Sequence, residues 1–146
     1  MVSEDNTVVL LFDSDDTSAD LISRSFASVD VSHQLRRVTN SGAMFSYLKD
    51  AMTKDGMEKD LRPRLIVIHA KKFDSDVEAA IASIKHDTEL KRVPVIVFSE
   101  SSDEQSVQKA YQLKTNSYIV CPETPAQVES VITEVASYWL KWNQLP

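Results

Sequence analysis

Three short runs in which nearly every residue is apolar and many are β-branched constrain the fold more than any other feature. They are TVVLLF over Thr7–Phe12, RLIVI over Arg64–Ile68 and PVIVF over Pro94–Phe98. A strand with one face in water alternates polar and apolar residues. An unbroken apolar run is buried on both faces, as in a parallel sheet covered by helices on each side. Amphipathic stretches lie between the runs. Ser18–Val29 carries Leu21, Ile22 and Phe26 at helical spacing, with Ser18 as a candidate N-cap. Ser41–Met52 sets Met44, Tyr47, Leu48 and Ala51 on one face, and Asp76–Lys85 does the same with Val77, Ala80, Ile81 and Ile84 behind a cap at Ser75 or Asp76. Asp103–Leu113 directs Val107, Ala110 and Tyr111 inward. Val31–Val38 is polar and alternates only in part, which predicts an edge strand. Thr53–Pro63 is charged and holds Gly56 and Pro63, which predicts a loop. Ser117–Val120 is a short strand, and a last helix runs from Pro125, near its first turn, to about Asn143.

Strand and helix thus alternate five times. Right-handed crossovers turn that order into a doubly wound α/β fold, and ligands of such folds bind at the carboxyl ends of the strands. The segments there are Asp13–Asp16, His69–Lys72, Ser99–Ser101 and Cys121–Pro122.

Composition removes several function classes. At 146 residues the chain suits one domain, residues 1–146. It has two glycines, Gly42 and Gly56, too few for a P-loop or a dinucleotide fingerprint, so no nucleotide or other cofactor is expected. A net charge of −6 makes nucleic acid a poor partner. The single cysteine, Cys121, excludes an internal disulfide and fits a reducing compartment. Met1–Asn6 is short and acidic, unlike a secretory signal, and no apolar run approaches a membrane span. These features predict a cytoplasmic protein with no membrane contact.

The strand ends carry a resemblance. Val9-Leu10-Leu11-Phe12-Asp13-Ser14-Asp15 resembles the first strand and acidic pair of response-regulator receivers, and Leu21-Ile22 follows in register with their first helix. Pro63-Arg64-Leu65-Ile66-Val67-Ile68-His69 resembles the strand that ends in the phosphorylated aspartate. Val93-Pro94-Val95-Ile96-Val97-Phe98-Ser99 resembles the strand that ends in Thr or Ser, and Tyr118-Ile119-Val120-Cys121-Pro122 the one that ends in Lys-Pro. The match spans nearly the whole chain. The loop after the second helix, together with Tyr138-Trp139-Leu140 through Leu145-Pro146, is similar to the phytochrome-associated subgroup. The resemblance implies a chemotaxis-receiver-like, flavodoxin-like (βα)5 fold with five parallel strands in the order 2-1-3-4-5.

It also implies a site built on five positions. In the family two acids and the acceptor aspartate surround Mg²⁺, and a hydroxyl and a lysine hold the phosphoryl oxygens. Here Asp13 matches the first acid and Ser99 keeps the hydroxyl. Ser14 stands at the second acid, His69 at the acceptor and Cys121 at the lysine. Imidazole forms no acyl phosphate, a neutral serine weakens the metal site, and a thiol brings no positive charge. A degenerate phosphorylation site without catalysis is the expectation.

Other readings attach to the same residues. His69 is a candidate phosphohistidine or a packed replacement paired with Asp13. Asp13, Asp15 and Asp16 with His69 are candidate metal ligands or a solvated acidic loop, and Cys121 is a candidate redox group or an inert thiol. A hydrolase built on Ser14, Ser99 and His69 lacks the glycines of a nucleophile elbow.

In the family an aromatic at the position of Tyr118 follows the hydroxyl at Ser99, so the resemblance makes Tyr118 the switch aromatic. The last helix (residues 125–144 with its end) aligns Val128, Val131, Ile132, Val135 and Trp139 as a core stripe. Tyr138, Leu140 and Trp142 fall beside or outside it, and with Trp139 they form the expected interface of a homodimer. Three functions remain. The first is a pseudo-receiver that binds a histidine kinase, a phosphotransfer protein or another response regulator without phosphate. The second is a receiver-fold switch for metal, pH or redox input at Asp13, His69 and Cys121. The third is a small flavodoxin-like enzyme.

Overall fold

The apolar runs form the middle of a five-stranded, all-parallel sheet with strand order β2-β1-β3-β4-β5. The computed structural model describes residues 7–52 and 61–146. The strands are β1 (Val8–Phe12), β2 (Gln34–Val38), β3 (Pro63–Ala70), β4 (Val95–Ser99) and β5 (Ser117–Val120). The helices are α1 (Asp16–Ala27), α2 (Ser41–Met52), α3 (Ser75–His86), α4 (Glu104–Gln112) and α5 (Pro125–Ser137). The doubly wound (βα)5 order and the 2-1-3-4-5 sheet are as the sequence implies. Among the described residues no helix is long and apolar enough to cross a membrane.

Side chains of a strand alternate between faces, and that period divides each central run between two cores. Leu10, Phe12, Ile66, Ile68, Val95 and Val97 pack with Met44 and Leu48 of α2 and Val77, Ala80, Ile81 and Ile84 of α3. Their neighbours Val9, Leu11, Leu65, Val67, Ile96 and Phe98 pack with Ala19, Ile22 and Phe26 of α1 and Ile132 and Ala136 of α5. Both sets are almost fully buried. Each such side chain contributes roughly 1.5–3 kcal/mol by leaving water, and this is why the runs cannot sit at an edge. The edge falls to β2, whose Gln34, Arg36 and Arg37 are exposed.

Several boundaries differ from the sequence expectation. Ser18 is not the N-cap of α1. Asp15 is, because its carboxylate accepts the N–H groups of Thr17 and Ser18 at 2.8 and 3.3 Å. Likewise α3 is capped by Asp74, whose carboxylate accepts the N–H of Val77, and not by Ser75 or Asp76. The Asp76 carboxylate instead accepts hydrogen bonds from the Ser41 hydroxyl and N–H, tying α3 to the start of α2. β2 starts at Gln34 rather than Val31. Pro63 belongs to β3, where the β1–β3 register shifts between Val8 and Val9, since a proline there has no N–H to donate. β3 also runs on through Ala70, so His69 lies inside a strand and not after one. The predicted loop Thr53–Pro63 falls at 53–60 outside the described residues, as do Met1–Asn6.

Tyr111 does not face inward but is exposed, and α4 rests on the sheet through Ala110. α5 ends at Ser137 and continues as one wide helical turn over Tyr138–Trp142. Its buried positions are Ile132 and Ala136, while Val128, Val131, Val135 and Trp139 pack at the rim of the core.

Truncating Ile68, fully buried in the central strand, to alanine should lower unfolding free energy by about 2–5 kcal/mol. Arg36→Ala, on the exposed edge strand, should stay within about 0.5 kcal/mol of wild type. Urea denaturation followed by circular dichroism checks both.

Candidate functional site

Parallel strands end together, so the fold gathers the residues that follow them at one edge of the sheet. Asp13 follows β1, His69 is the second-last residue of β3, Ser99 ends β4 and Cys121 follows β5. The pleat then separates them. His69 continues the Leu65–Val67 side and Cys121 packs against that same core, whereas Ser99 continues the Val95–Val97 side with Tyr118. Ser14 turns outward into solvent.

The centre of the site is an ion pair. His69 Nδ1 lies 3.1 Å from Asp13 Oδ1, with side chains only 8% and 1% exposed. Asp13 Oδ1 also accepts the N–H of Asp15 at 3.0 Å, and Oδ2 accepts the Ser18 hydroxyl at 2.7 Å. The Ser18 oxygen is in turn 3.3 Å from His69 Nδ1. Asp13, Ser18 and His69 therefore close a small hydrogen-bonded ring. Burial works against a charge on the imidazole. The hydrogen bond to Asp13 and its charge, with a smaller contribution from Cys121, outweigh it and raise His69 from its ordinary 6.5 to about 10. At neutral pH the ring is an imidazolium. It has no lone pair with which to accept a proton or attack phosphorus, and it repels a nearby metal cation.

A second layer of charge covers this pair. Lys71, just beyond β3, reaches the Asp15 carboxylate at 3.0 Å and links the β1–α1 loop to the β3–α3 loop. That contact, with the α1 N–H groups, lowers the Asp15 carboxyl below its usual range, and Asp15 raises Lys71. On the other side Arg37 of β2 donates through Nε to the Asp13 carbonyl at 3.0 Å and pairs with Asp16 at 2.8 Å. A cleft of about 320 Å³ between the two loops is lined by Ser14, Asp15, Thr39, His69 and Lys71.

The weak metal candidates Asp13, Asp15 and His69 do not combine. Asp15 caps α1 and pairs with Lys71, and the Asp13 carboxylate is taken up by His69, Ser18 and Asp15 N–H. Among the described residues no three His, Cys, Asp or Glu side chains are grouped to hold a metal ion. The residues present therefore do not fit the Mg²⁺ that the fold family implies.

Ser99 is fully buried, and its hydroxyl oxygen accepts the Ser101 N–H at 3.0 Å. The Tyr118 hydroxyl donates to the Ser101 carbonyl at 2.7 Å, with its ring tilted against Phe73 at 6.4 Å. Ser101 thus joins Ser99 to Tyr118. Lys71 and Ser101 lie in the strand-end segments that the sequence marks, without an assigned role, and Ser18 lies outside those segments. Ser18 had a signal, a hydroxyl one turn after a strand-end acid, and was assigned to capping instead. Ser101 acts through backbone atoms and carries none.

The four expected interface residues divide. Tyr138 and Trp142 are 53% and 71% exposed, whereas Trp139 and Leu140 pack against the α1–α5 core. Tyr138 meets Trp139 edge-on at 5.4 Å, and the Lys141 ammonium lies 5.8 Å from the Trp142 ring centre. Tyr111 and Val120 add further exposed apolar surface on α4 and β5.

No protein-family model matches the chain. It is 26% identical over 144 residues to the "Probable methanogenesis regulatory protein FilR2" of Methanothrix harundinacea, covering 99% of this chain and 90% of that one. It is 25% identical over 139 residues to response regulator Rcp1 of Synechocystis, covering 95% and 92%. Among solved structures, the Mn²⁺-bound form of Rcp1 superposes with a TM-score of 0.84 at 25% identity over 96% of this chain and 99% of Rcp1. The phosphorylated cyanobacterial phytochrome response regulator RcpA gives 0.83 at 26% identity over 96% and 98%. Fold, sheet order and sequence similarity agree along almost the full length: the chain resembles the response regulators Rcp1 and RcpA and shares their receiver fold.

Proposed function

We propose that this receiver is a pseudo-receiver: it takes no phosphoryl group and signals as a protein-interaction module. The observation that carries the reading is the buried Asp13–His69 ion pair. Phosphoryl transfer to a carboxylate needs an acceptor oxygen, a hard cation to offset charge and a fixed positive group on the product. At the acceptor stands an imidazolium already paired with the carboxylate that would help hold the cation. Ser14 offers a neutral, solvent-facing hydroxyl in place of the second acid, and Cys121 replaces the lysine. Each change removes a separate requirement. Relatives with the same fold have been solved bound to Mn²⁺ and phosphorylated, so the fold is compatible with that chemistry and the difference lies in these side chains.

Partners follow from the receiver architecture: a histidine kinase, a phosphotransfer protein or another response regulator, met in the cytoplasm. The Ser99–Ser101–Tyr118 linkage supplies a fixed geometry for the α4–β5 face without phosphate. The exposed Tyr138 and Trp142 beyond α5, with Tyr111 and Val120, supply apolar anchors for a homodimer. A pH input in the physiological range is opposed by His69, which keeps its proton far above neutrality.

Incubation with acetyl phosphate or beryllofluoride plus Mg²⁺ should leave the intact mass and the amide NMR spectrum of the wild type unchanged; a stoichiometric adduct would sink the reading. Restoring the missing groups together in Ser14→Asp/His69→Asp/Cys121→Lys should produce Mg²⁺-dependent phosphorylation, read as an 80 Da mass gain expected from added HPO₃, roughly a −2 charge at neutral pH.

His69 should remain protonated at pH 8 and lose its proton near 10. A raised folded-state value means that its stabilisation is complete below about 6.5 and is lost as pH climbs toward 10. Asp13→Asn should bring the His69 titration down by more than about one unit, with ¹⁵N-resolved NMR of the ring as the readout.

Light scattering at tens of micromolar, on the order of common interface affinities, should give the mass of a dimer for the wild type and a monomer for Tyr138→Ala/Trp142→Ala. A monomeric wild type would remove the dimer from the proposal.

A further inference from the structure

The end of the sheet opposite Asp13 and His69 holds a second concavity. A cleft of about 420 Å³ lies where β3 begins and the α3–β4 connection returns, lined by Arg62, Pro63, Thr88, Leu90 and Arg92, with Glu89 and Val93 completing it. Arg62 Nε is buried and has no hydrogen-bond partner, the one such side-chain atom among the described residues. A guanidinium N–H out of water without an acceptor costs free energy that a ligand oxygen recovers. Neither Arg62 nor Arg92 forms an ion pair with another described residue.

The wall that carries Thr88 and Arg92 is held in place independently of any ligand. The Asp87 carboxylate accepts the N–H groups of Glu89 and Leu90 at 2.8 and 3.0 Å. Lys85 donates to the carbonyls of Lys91 and Val93 at 3.3 and 3.0 Å and to Asn116 Oδ1 at 3.0 Å. Asn116 Oδ1 also accepts the N–H of Val95 at 2.8 Å, which locks the connection to the start of β4. Opposite this wall stands Arg62, followed by Pro63, the first residue of β3. Two guanidiniums and a hydroxyl therefore line one cleft, and Pro63, Leu90 and Val93 give it an apolar part. Guanidinium is the side chain best matched to paired oxygens of carboxylate or phosphate. With Glu89 the three charged residues carry a net +1, in a chain whose net charge is −6.

From these observations we infer that the Arg62–Arg92 cleft is a binding site for a small oxyanion-bearing molecule, a carboxylate or a phosphate. It is separate from the Asp13–His69 site and does not depend on the pseudo-receiver reading. Bound there, the anion bridges the beginning of β3 and the α3–β4 connection, at the far end of the strand that carries His69.

The test titrates inorganic phosphate and, separately, citrate into the full chain at low ionic strength, following amide shifts of Thr88–Val93 by NMR and melting temperature by calorimetry. The expected result is a saturable response to one of the two, which identifies the class. Affinity should be at least about tenfold weaker in Arg92→Gln and in Arg62→Gln, the loss of one charge-assisted contact. Arg92 is exposed, so its variant keeps the test valid if Arg62→Gln fails to fold. Arg24→Gln, on the far side of α1, should bind as wild type does. A linear, non-saturating response to both anions, or equal binding by the Arg92 variant, would overturn the site. So would a titration that becomes saturable only after Asp55, Glu58 and Asp60 are all neutralised to amides, since the chain's own acids would then be the occupant.

Discussion

A strand buried on both faces fixes everything around it. β1, β3 and β4 have no side left for water, so helices must cover the sheet above and below, and right-handed crossovers then leave the polar β2 and the short β5 at its edges. The alternation of Val9, Leu10, Leu11 and Phe12 between two cores shows the economy of this arrangement: one six-residue run in the sequence serves both. The same parallel alignment brings every carboxyl end to one rim, and so a site assembled from four distant chain segments forms without further design.

At that rim the buried Asp13–His69 pair sets the chemistry. Two opposite charges removed from water gain little net stability, but removing one partner leaves the other uncompensated, at a cost of about 3–5 kcal/mol. The pair is therefore better understood as a constraint on what can enter than as a source of stability. Ser18 and the Asp15 N–H hold the carboxylate further, and the Lys71–Asp15 contact ties the two loops that flank the cleft above it. The charge of the Asp13 carboxylate is balanced from within the chain, by His69.

The Ser99–Tyr118 side of the rim is built on different contacts. Ser99, Ser101 and Tyr118 connect on the opposite face of the pleat from His69, and Tyr118 reaches the β4–α4 loop through a backbone carbonyl. The two sets of residues share the sheet and lie on opposite faces of its pleat. Beyond α5 the wide turn rotates Tyr138 and Trp142 outward while Trp139 and Leu140 stay on the core.

Much of this was legible in the sequence. The buried runs and amphipathic intervals determined five strands, five helices and a parallel sheet, because hydrophobic period depends only on local order along the chain. The residues at the strand ends were legible for the same reason, and a pairing of His69 with Asp13 was among the readings. Caps were not: Asp15 and Asp74 displaced Ser18, Ser75 and Asp76, since several polar residues in a row compete for the same N–H groups and the strand's exit angle chooses among them. Tyr111 lies on a plausible inner stripe, yet the short α4 buries only Ala110, and Tyr111 reaches the sheet edge just through its hydroxyl, which accepts the Tyr118 N–H. The ring of Asp13, Ser18 and His69, the charge it keeps on the imidazole and the Arg62 N–H that has no partner among the described residues were decided by tertiary structure alone. Each depends on burial and on distances between atoms far apart in the chain, and those quantities exist only once the sheet has closed.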